Sequence, residues 1–222
     1  MGDKILVVAP HPDDETLGCG GTLLKHAARG DKLYWMIMTE MDIADGWPPE
    51  KIVKRQRQID AVAVAYGFAG VYRLGFPAAR LDAISFGKVF AAVADALRQA
   101  QPGTVYLPDS ADVHSDHRVC FDALWGAAKT FRSPFVRRIL SYETPSETEF
   151  ASASASVFQP NVFIDMSAFL EKKLEIMKIY DDELMPGNMP RSLDTLRSLA
   201  SLRGSRCGAA YAEAFHLYQE II

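Results

Sequence analysis

Ile5-Leu6-Val7-Val8-Ala9, followed directly by Pro10-His11-Pro12-Asp13-Asp14-Glu15 and then by Gly18-Cys19-Gly20-Gly21, decides how this chain folds. A run of β-branched and aliphatic residues without polar alternation is a strand covered on both faces, as in a parallel sheet. Residues 33–38 and 104–107 repeat the pattern. Helical stretches lie between these runs, at 20–28, at 49–66 with Ile52, Ile59, Val62 and Ala63 near helical spacing, and at 86–100 with Val89, Phe90, Val93 and Leu97. Gly30, Gly67 and Gly103 sit just past these helices, where a left-handed residue ends a helix, and Pro102 reinforces the third stop. Strand–helix alternation of this kind builds an α/β layered domain with a mainly parallel sheet, because parallel strands require long crossovers.

The second half is less regular, with strands expected at 138–143 and 161–166 and helices at 168–180 and 191–203. The run Ala151-Ser152-Ala153-Ser154-Ala155-Ser156 reads as a surface loop, and residues 1–222 as one domain without an internal repeat. The chain is 49% hydrophobic and carries 24 Lys plus Arg against 28 Asp plus Glu, a net charge of −4. That composition excludes disorder and disulfide scaffolds and gives no field to draw nucleic acid. Cys19, Cys120 and Cys207 form no C-x-x-C pair, so reduced thiols and a cytoplasmic location are expected. The first apolar run stops at Pro10, too short for a signal-peptide core or a membrane span, and no stable membrane insertion is expected.

The chemistry-bearing residues fall in two loops. In open α/β sheets ligands bind outside the carboxyl ends of the strands, which makes the loop after residues 5–9 a candidate by position. Its acids have a plain explanation as helix caps or dipole partners. Capping does not explain His11 between two prolines, which stiffen it near Asp14. The second cluster, Asp109-Ser110-Ala111-Asp112-Val113-His114-Ser115-Asp116-His117-Arg118, follows the strand at 104–107 and therefore leaves the same sheet edge. Three of the five histidines lie in these loops beside acids, a composition suited to a divalent ion of borderline softness. Zinc held by two histidines and one carboxylate keeps a position for water, whose pKa falls from about 15.7 to about 7. The remaining acids and histidines suit a general base and an oxyanion stabiliser that also protonates a leaving amine, a nearby carboxylate keeping that histidine charged. Spacing leaves open whether Asp13 or Asp14, and whether His114 or His117, touches the metal.

Other residues weigh differently. Cys19 reads as a small packing residue, and His26 and His216 as packed or surface histidines. Trp47, between Asp45-Gly46 and Pro48-Pro49, sits after the second strand and suits either stacking on a sugar or anchoring its loop. Glu171, Glu175, Asp181 and Asp182, with Lys172, Lys173 and Lys178 among them, read as a solvated face. Met185-Pro186-Gly187-Asn188-Met189-Pro190 is turn-rich and suits a lid or an oligomer contact.

His11-Pro12-Asp13-Asp14-Glu15 with Gly18-x-Gly20-Gly21, together with His114-Ser115-Asp116-His117, resembles the LmbE/PIG-L family of zinc-dependent N-deacetylases. Tyr142-Glu143-Thr144 and Arg203-Gly204 before Gly208, with Tyr211-Ala212-Glu213-Ala214-Phe215, look like segments of its bacterial members. The resemblance implies a Rossmann-like three-layer αβα sandwich. It makes His11, Asp14 and His117 the ligands of Zn2+, Asp13 the general base, and His114 the oxyanion stabiliser, oriented and kept charged by Asp116. Glu15 would support the loop, and Glu143, Tyr211 and an arginine of the second helix would meet substrate, joined by Trp47 if its position after the second strand serves stacking. Arg55 or Arg57 corresponds to that arginine, while Gln58 stands where the family places an acid. The implied reaction is hydrolysis of an N-acetylated amino sugar of N-acetylglucosamine type to acetate and a free amine, by a homo-oligomer.

Two other readings compete. A nucleotide-binding Rossmann-like protein would want a glycine where Leu23 stands, and three acids ahead of the loop would repel a pyrophosphate. A metal-dependent phosphoesterase could use the same ligand types but usually prefers a carboxylate-rich two-metal site. A silent binding protein is disfavoured because every position of the family motif is filled.

Overall fold

The computed structural model describes residues 2–152 and 157–222; the expected loop at 151–156 lies largely outside the described residues. The chain runs β1 (Lys4–Ala9), α1 (Asp14–Ala28), β2 (Lys32–Glu40), α2 (Pro49–Tyr66), β3 (Gly70–Pro77), α3 (Phe86–Ala100), β4 (Thr104–Pro108) and α4 (Ser115–Ala127). It continues with β5 (Arg138–Tyr142), β6 (Val162–Asp165), α5 (Leu170–Met177), α6 (Leu193–Ser205) and β7 (Ala212–Glu220). The strands form one sheet in the order β3-β2-β1-β4-β5-β7-β6. β1 to β5 pair in parallel, and β7 runs antiparallel between β5 and β6.

Alternation along β1 divides the core. Ile5, Val7 and Ala9 face the layer that α1, α2, α5 and α6 pack against, while Leu6 and Val8 face the layer of α3 and α4. All five are buried on a strand covered on both sides, each contributing about 1.5–3 kcal/mol for an aliphatic side chain larger than alanine. The result is the expected three-layer αβα arrangement. Strand order reverses between β1 and β4, which pair Ile5 with Thr104 and Val7 with Tyr106. α1 leaves β1 toward one face and α4 leaves β4 toward the other, so their preceding loops border a crevice at the switch point.

The local elements depart from the sequence reading in specific ways. α1 begins at Asp14 rather than at residue 20, and Cys19, at φ −143° and ψ 22°, interrupts it. The break exposes the amides of Gly21 and Thr22, and the Glu213 carboxylate accepts both, at 2.9 and 2.7 Å. Lys173 Nζ neutralises that buried carboxylate at 2.7 Å, so Lys173 is not on the expected solvated face. The glycine cluster serves close packing: a Cβ on Gly18 would lie 2.1 Å from the Tyr142 ring. β3, α4 and β7 are elements that the sequence pattern does not announce. β3 is an edge strand, half-exposed, with Gly75 at φ 67° where its register with β2 shifts, so it shows no apolar run.

Candidate metal centre and its cavity

The first loop is pinned at its prolines. Thr39 at the end of β2 donates to the Pro10 carbonyl from its amide and its hydroxyl, at 3.1 and 2.8 Å, and Arg55 Nη1 donates to the Pro12 carbonyl at 2.7 Å. Asp13 then turns the chain into α1 with φ 146°, a conformation costly for any residue with a Cβ. Its carbonyl accepts the Thr16 and Leu17 amides, at 3.0 and 2.9 Å, and its own amide donates to Glu15 Oε2 at 3.1 Å. Glu15 is fully buried and also accepts from Thr16 Oγ1 and Tyr180, so it braces the loop from behind. Burial pushes the Glu15 carboxyl up to about 7.

His11, Asp14 and His117 converge. One nitrogen of each ring and a carboxylate oxygen lie within 4.8 Å of one another. His11 Nδ1 is 3.3 Å and His117 Nε2 3.4 Å from Asp14 Oδ2. Two ligands each about 2.1 Å from a tetrahedral zinc ion lie roughly 3.4 Å apart, which both separations from Asp14 match. The other nitrogen of each ring rests on a carboxylate, His11 Nε2 on Asp116 at 3.0 Å and His117 Nδ1 on Asp112 at 2.8 Å. Such partners fix ring orientation and raise ligand basicity. Burial opposes charge on both rings, but the carboxylates outweigh it, raising His11 to about 9 and His117 to about 10. Burial likewise opposes the Asp14 carboxylate, yet His117 and His11 hold it well below the usual range.

Asp13 is buried beside this trio without belonging to it. Burial first, then the charges of Asp14 and Glu183, push its carboxyl well above the usual range. His114 caps α4, its Nδ1 accepting the Asp116 amide at 3.1 Å. Here the structure corrects the expectation that Asp116 keeps His114 charged. The Asp116 carboxylate turns instead to His11 and to the amides of Ala79 and Leu81, at 2.8 and 2.9 Å. Burial, then the charges of His11 and His117, lower His114 to about 4. With Nδ1 accepting, the neutral ring carries its proton on Nε2.

A cavity of about 350 Å³ opens over these groups, lined also by Trp47 and Arg55. Arg55 is buried and Arg57 exposed, which resolves the two candidates on α2 in favour of Arg55. The acid absent at Gln58 is supplied from another part of the chain, because Glu183 pairs with Arg55. Gln58 instead donates to the Ile179 carbonyl and to Asp182. Glu143 and Tyr211 do not line this cavity. Glu143 is held bidentately by Arg203, at 2.8 and 2.6 Å, and faces two neighbouring recesses. Tyr211 packs at the edge of the core and ties β7 to Met166 and Ser167 through its backbone. Three residues missed by sequence reasoning matter: Asp112, Glu183 and Arg191, the last 3.6 Å from Asp13 Oδ2 and 3.2 Å from Glu183. Asp112 stood within the second cluster; nothing local marks Glu183 or Arg191, which flank a turn far from both loops.

The chain is similar to the diacetylchitobiose deacetylase of Thermococcus kodakarensis, with 26% identity over 218 residues covering 95% of this chain and 81% of the relative. It is also similar to a probable N-acetyl-alpha-D-glucosaminyl L-malate deacetylase 2 of Bacillus anthracis, 25% identical over 185 residues and 79% of each chain. Among solved structures, the conserved protein TT1542 from Thermus thermophilus matches with a TM-score of 0.79 at 26% identity, covering 99% of this chain and 96% of that one. The family model PIG-L, described as GlcNAc-PI de-N-acetylase, matches residues 6–128, more than half of the sequence and the stretch that holds both histidine-bearing loops. The chain therefore belongs to the PIG-L family of de-N-acetylases.

Proposed function

We propose that this chain is a zinc-dependent hydrolase that removes the acetyl group from an N-acetylated amino sugar of N-acetylglucosamine type, releasing acetate and a free amine. The observation that carries the reading is the convergence of His11 Nδ1, Asp14 and His117 Nε2 within 4.8 Å at the floor of a cavity that Asp13 and His114 also line. The names of the relatives, both deacetylases of acetylglucosamine-type compounds, support the substrate class.

His11, Asp14 and His117 would hold the ion. When bound, zinc supplies Lewis-acid polarisation of an acyl oxygen and acidifies a water. Asp13, raised by its buried setting, accepts the proton of the attacking water, and its position beside the site lets it return that proton to the departing amine. His114, neutral with its proton on Nε2, donates a hydrogen bond to the oxygen on which charge develops. Arg55 braces the Pro12 carbonyl so that Asp13 stays in register. Trp47, half-buried at the rim, offers a face for a sugar ring. Carbon, nitrogen and oxygen balance as amide plus water giving carboxylate plus ammonium.

Among the described residues no helix is long and apolar enough to cross a membrane. Cys19, Cys120 and Cys207 are free thiols, which supports a reducing, cytoplasmic setting, and the family resemblance supports a homo-oligomer. Screening N-acetylated glucosamines and their glycosides for acetate release, with and without a chelator, tests the function. Release from at least one that stops on chelation is expected; no release from any, with metal present, overturns it.

A further inference from the structure

A closed ring of polar contacts begins and ends on the metal-facing loop. Arg55 Nη1 donates to the Pro12 carbonyl at 2.7 Å, and Arg55 Nη2 pairs with Glu183 Oε1. Glu183 Oε2 accepts from Arg191 Nη1 at 3.2 Å, and the same nitrogen lies 3.6 Å from Asp13 Oδ2. The ring joins α2, the turn after α5 and the loop between β1 and α1, segments that Gln58 and Tyr180 also tie together. It returns to the one residue of that loop whose backbone is strained, Asp13 at φ 146°. Strain of about 1–3 kcal/mol persists only where the surroundings over-determine the conformation.

We propose that Arg191 is the positioning residue of this site: it holds the Asp13 carboxylate in its working orientation, and Glu183 is the strut that sets where Arg191 stands. The division of labour follows from the geometry. Arg55 grips the backbone of the loop, one residue before Asp13. Arg191 faces the Asp13 side chain from the turn after α5, whereas Asp116 and Asp112 brace the two histidine ligands. Glu183 accepts from both arginines, so neither guanidinium can shift without the other. At 3.6 Å, Arg191 is an ion-pair partner of Asp13 and not a hydrogen-bond donor that would saturate it. The acid that the family resemblance places on α2 is thus replaced by one on a turn that also carries a second arginine. Arg191 lines the cavity with its side chain about a quarter exposed, so it can be replaced without opening the core.

This inference rests on Asp13 as the proton acceptor of the proposed reaction, and its test separates the two. Arg191→Met and Arg191→Lys are prepared in the zinc-loaded protein, and metal content, crystal structure and steady-state kinetics are compared with the parent. Arg191→Met should keep the parent's metal content while the Asp13 carboxylate rotates away from its parental position. Its kcat should fall about ten- to a hundredfold with KM within about threefold, because misplacement by an ångström costs that much. Arg191→Lys should restore part of kcat. An Arg191→Met protein with Asp13 unmoved, or with the parent's kcat, overturns the proposal, as does a loss of metal that accounts for the lost activity. Should the parent release no acetate from any substrate, the proposed function fails while the position of Asp13 in the variant structures still decides the role of Arg191.

Discussion

Asp112 Oδ2 lies 2.8 Å from His117 Nδ1, with both side chains almost wholly withdrawn from solvent. Thr148 Oγ1 donates to the other Asp112 oxygen at 2.6 Å, so the carboxylate is itself held. The imidazole is therefore oriented with Nε2 toward Asp14 before any ion arrives. Asp112→Asn keeps an acceptor but removes the charge behind the ligand, and should weaken zinc binding about 10- to 100-fold. Competition against a chromophoric chelator measures this, with Asp116→Asn, behind His11, as the parallel case.

The buried pair Lys173–Glu213 should matter to folding. Lys173 Nζ donates to Glu213 at 2.7 Å and to the Leu17 carbonyl at 2.9 Å, and Glu213 caps the restarted half of α1. Removing one partner of such a pair leaves an uncompensated charge and costs about 3–5 kcal/mol. Lys173→Met should lower stability by that amount in urea denaturation. Lys173→Met combined with Glu213→Gln should recover part of the loss, since the second change removes the stranded charge.

A pH effect is expected at the far end of α1. His26 Nδ1 is 2.7 Å from Asp31 Oδ2, and Nε2 is 3.0 Å from the Tyr106 hydroxyl. Burial outweighs Asp31 and holds His26 below its ordinary value of 6.5. The unfolded chain therefore takes up this proton first. The contribution of His26 is fully present above pH 6.5 and declines as pH falls toward its folded-state value. Asp31, also lowered, acts in a separate and more acidic window. Denaturation curves of the parent and of His26→Leu should converge in their pH slope above about 6.5 and diverge below it, the parent losing stability faster.

Much of this was legible where physics is local. The uninterrupted run Ile5 to Ala9 announces a strand buried on both faces, and two histidine-and-acid loops after two such strands point to one sheet edge. The structure brings both loops together because β1 and β4 are neighbours at the point where strand order reverses. β3 leaves no mark in the sequence because an edge strand with Gly75 at positive φ carries no apolar run. Side-chain direction was beyond reach: Asp116 is adjacent to His117 in sequence and near His114, yet its carboxylate serves His11 across the crevice. Glu143 belongs to a motif but turns to Arg203, and Glu183 and Arg191 find the loop of Asp13 only through tertiary packing.

Metal content measured alongside acetate release in the parent, His117→Ala and Asp13→Asn tests the central claim most directly. One divalent ion per chain is expected in the parent and none in His117→Ala, which loses a ligand that also faces Asp14 at 3.4 Å. Asp13→Asn should keep the ion, since Asp13 stands outside the ligand trio, and lose about 10²–10⁴ in turnover. A His117→Ala protein that retained both its ion and its activity, or an Asp13→Asn protein as fast as the parent, would contradict the account.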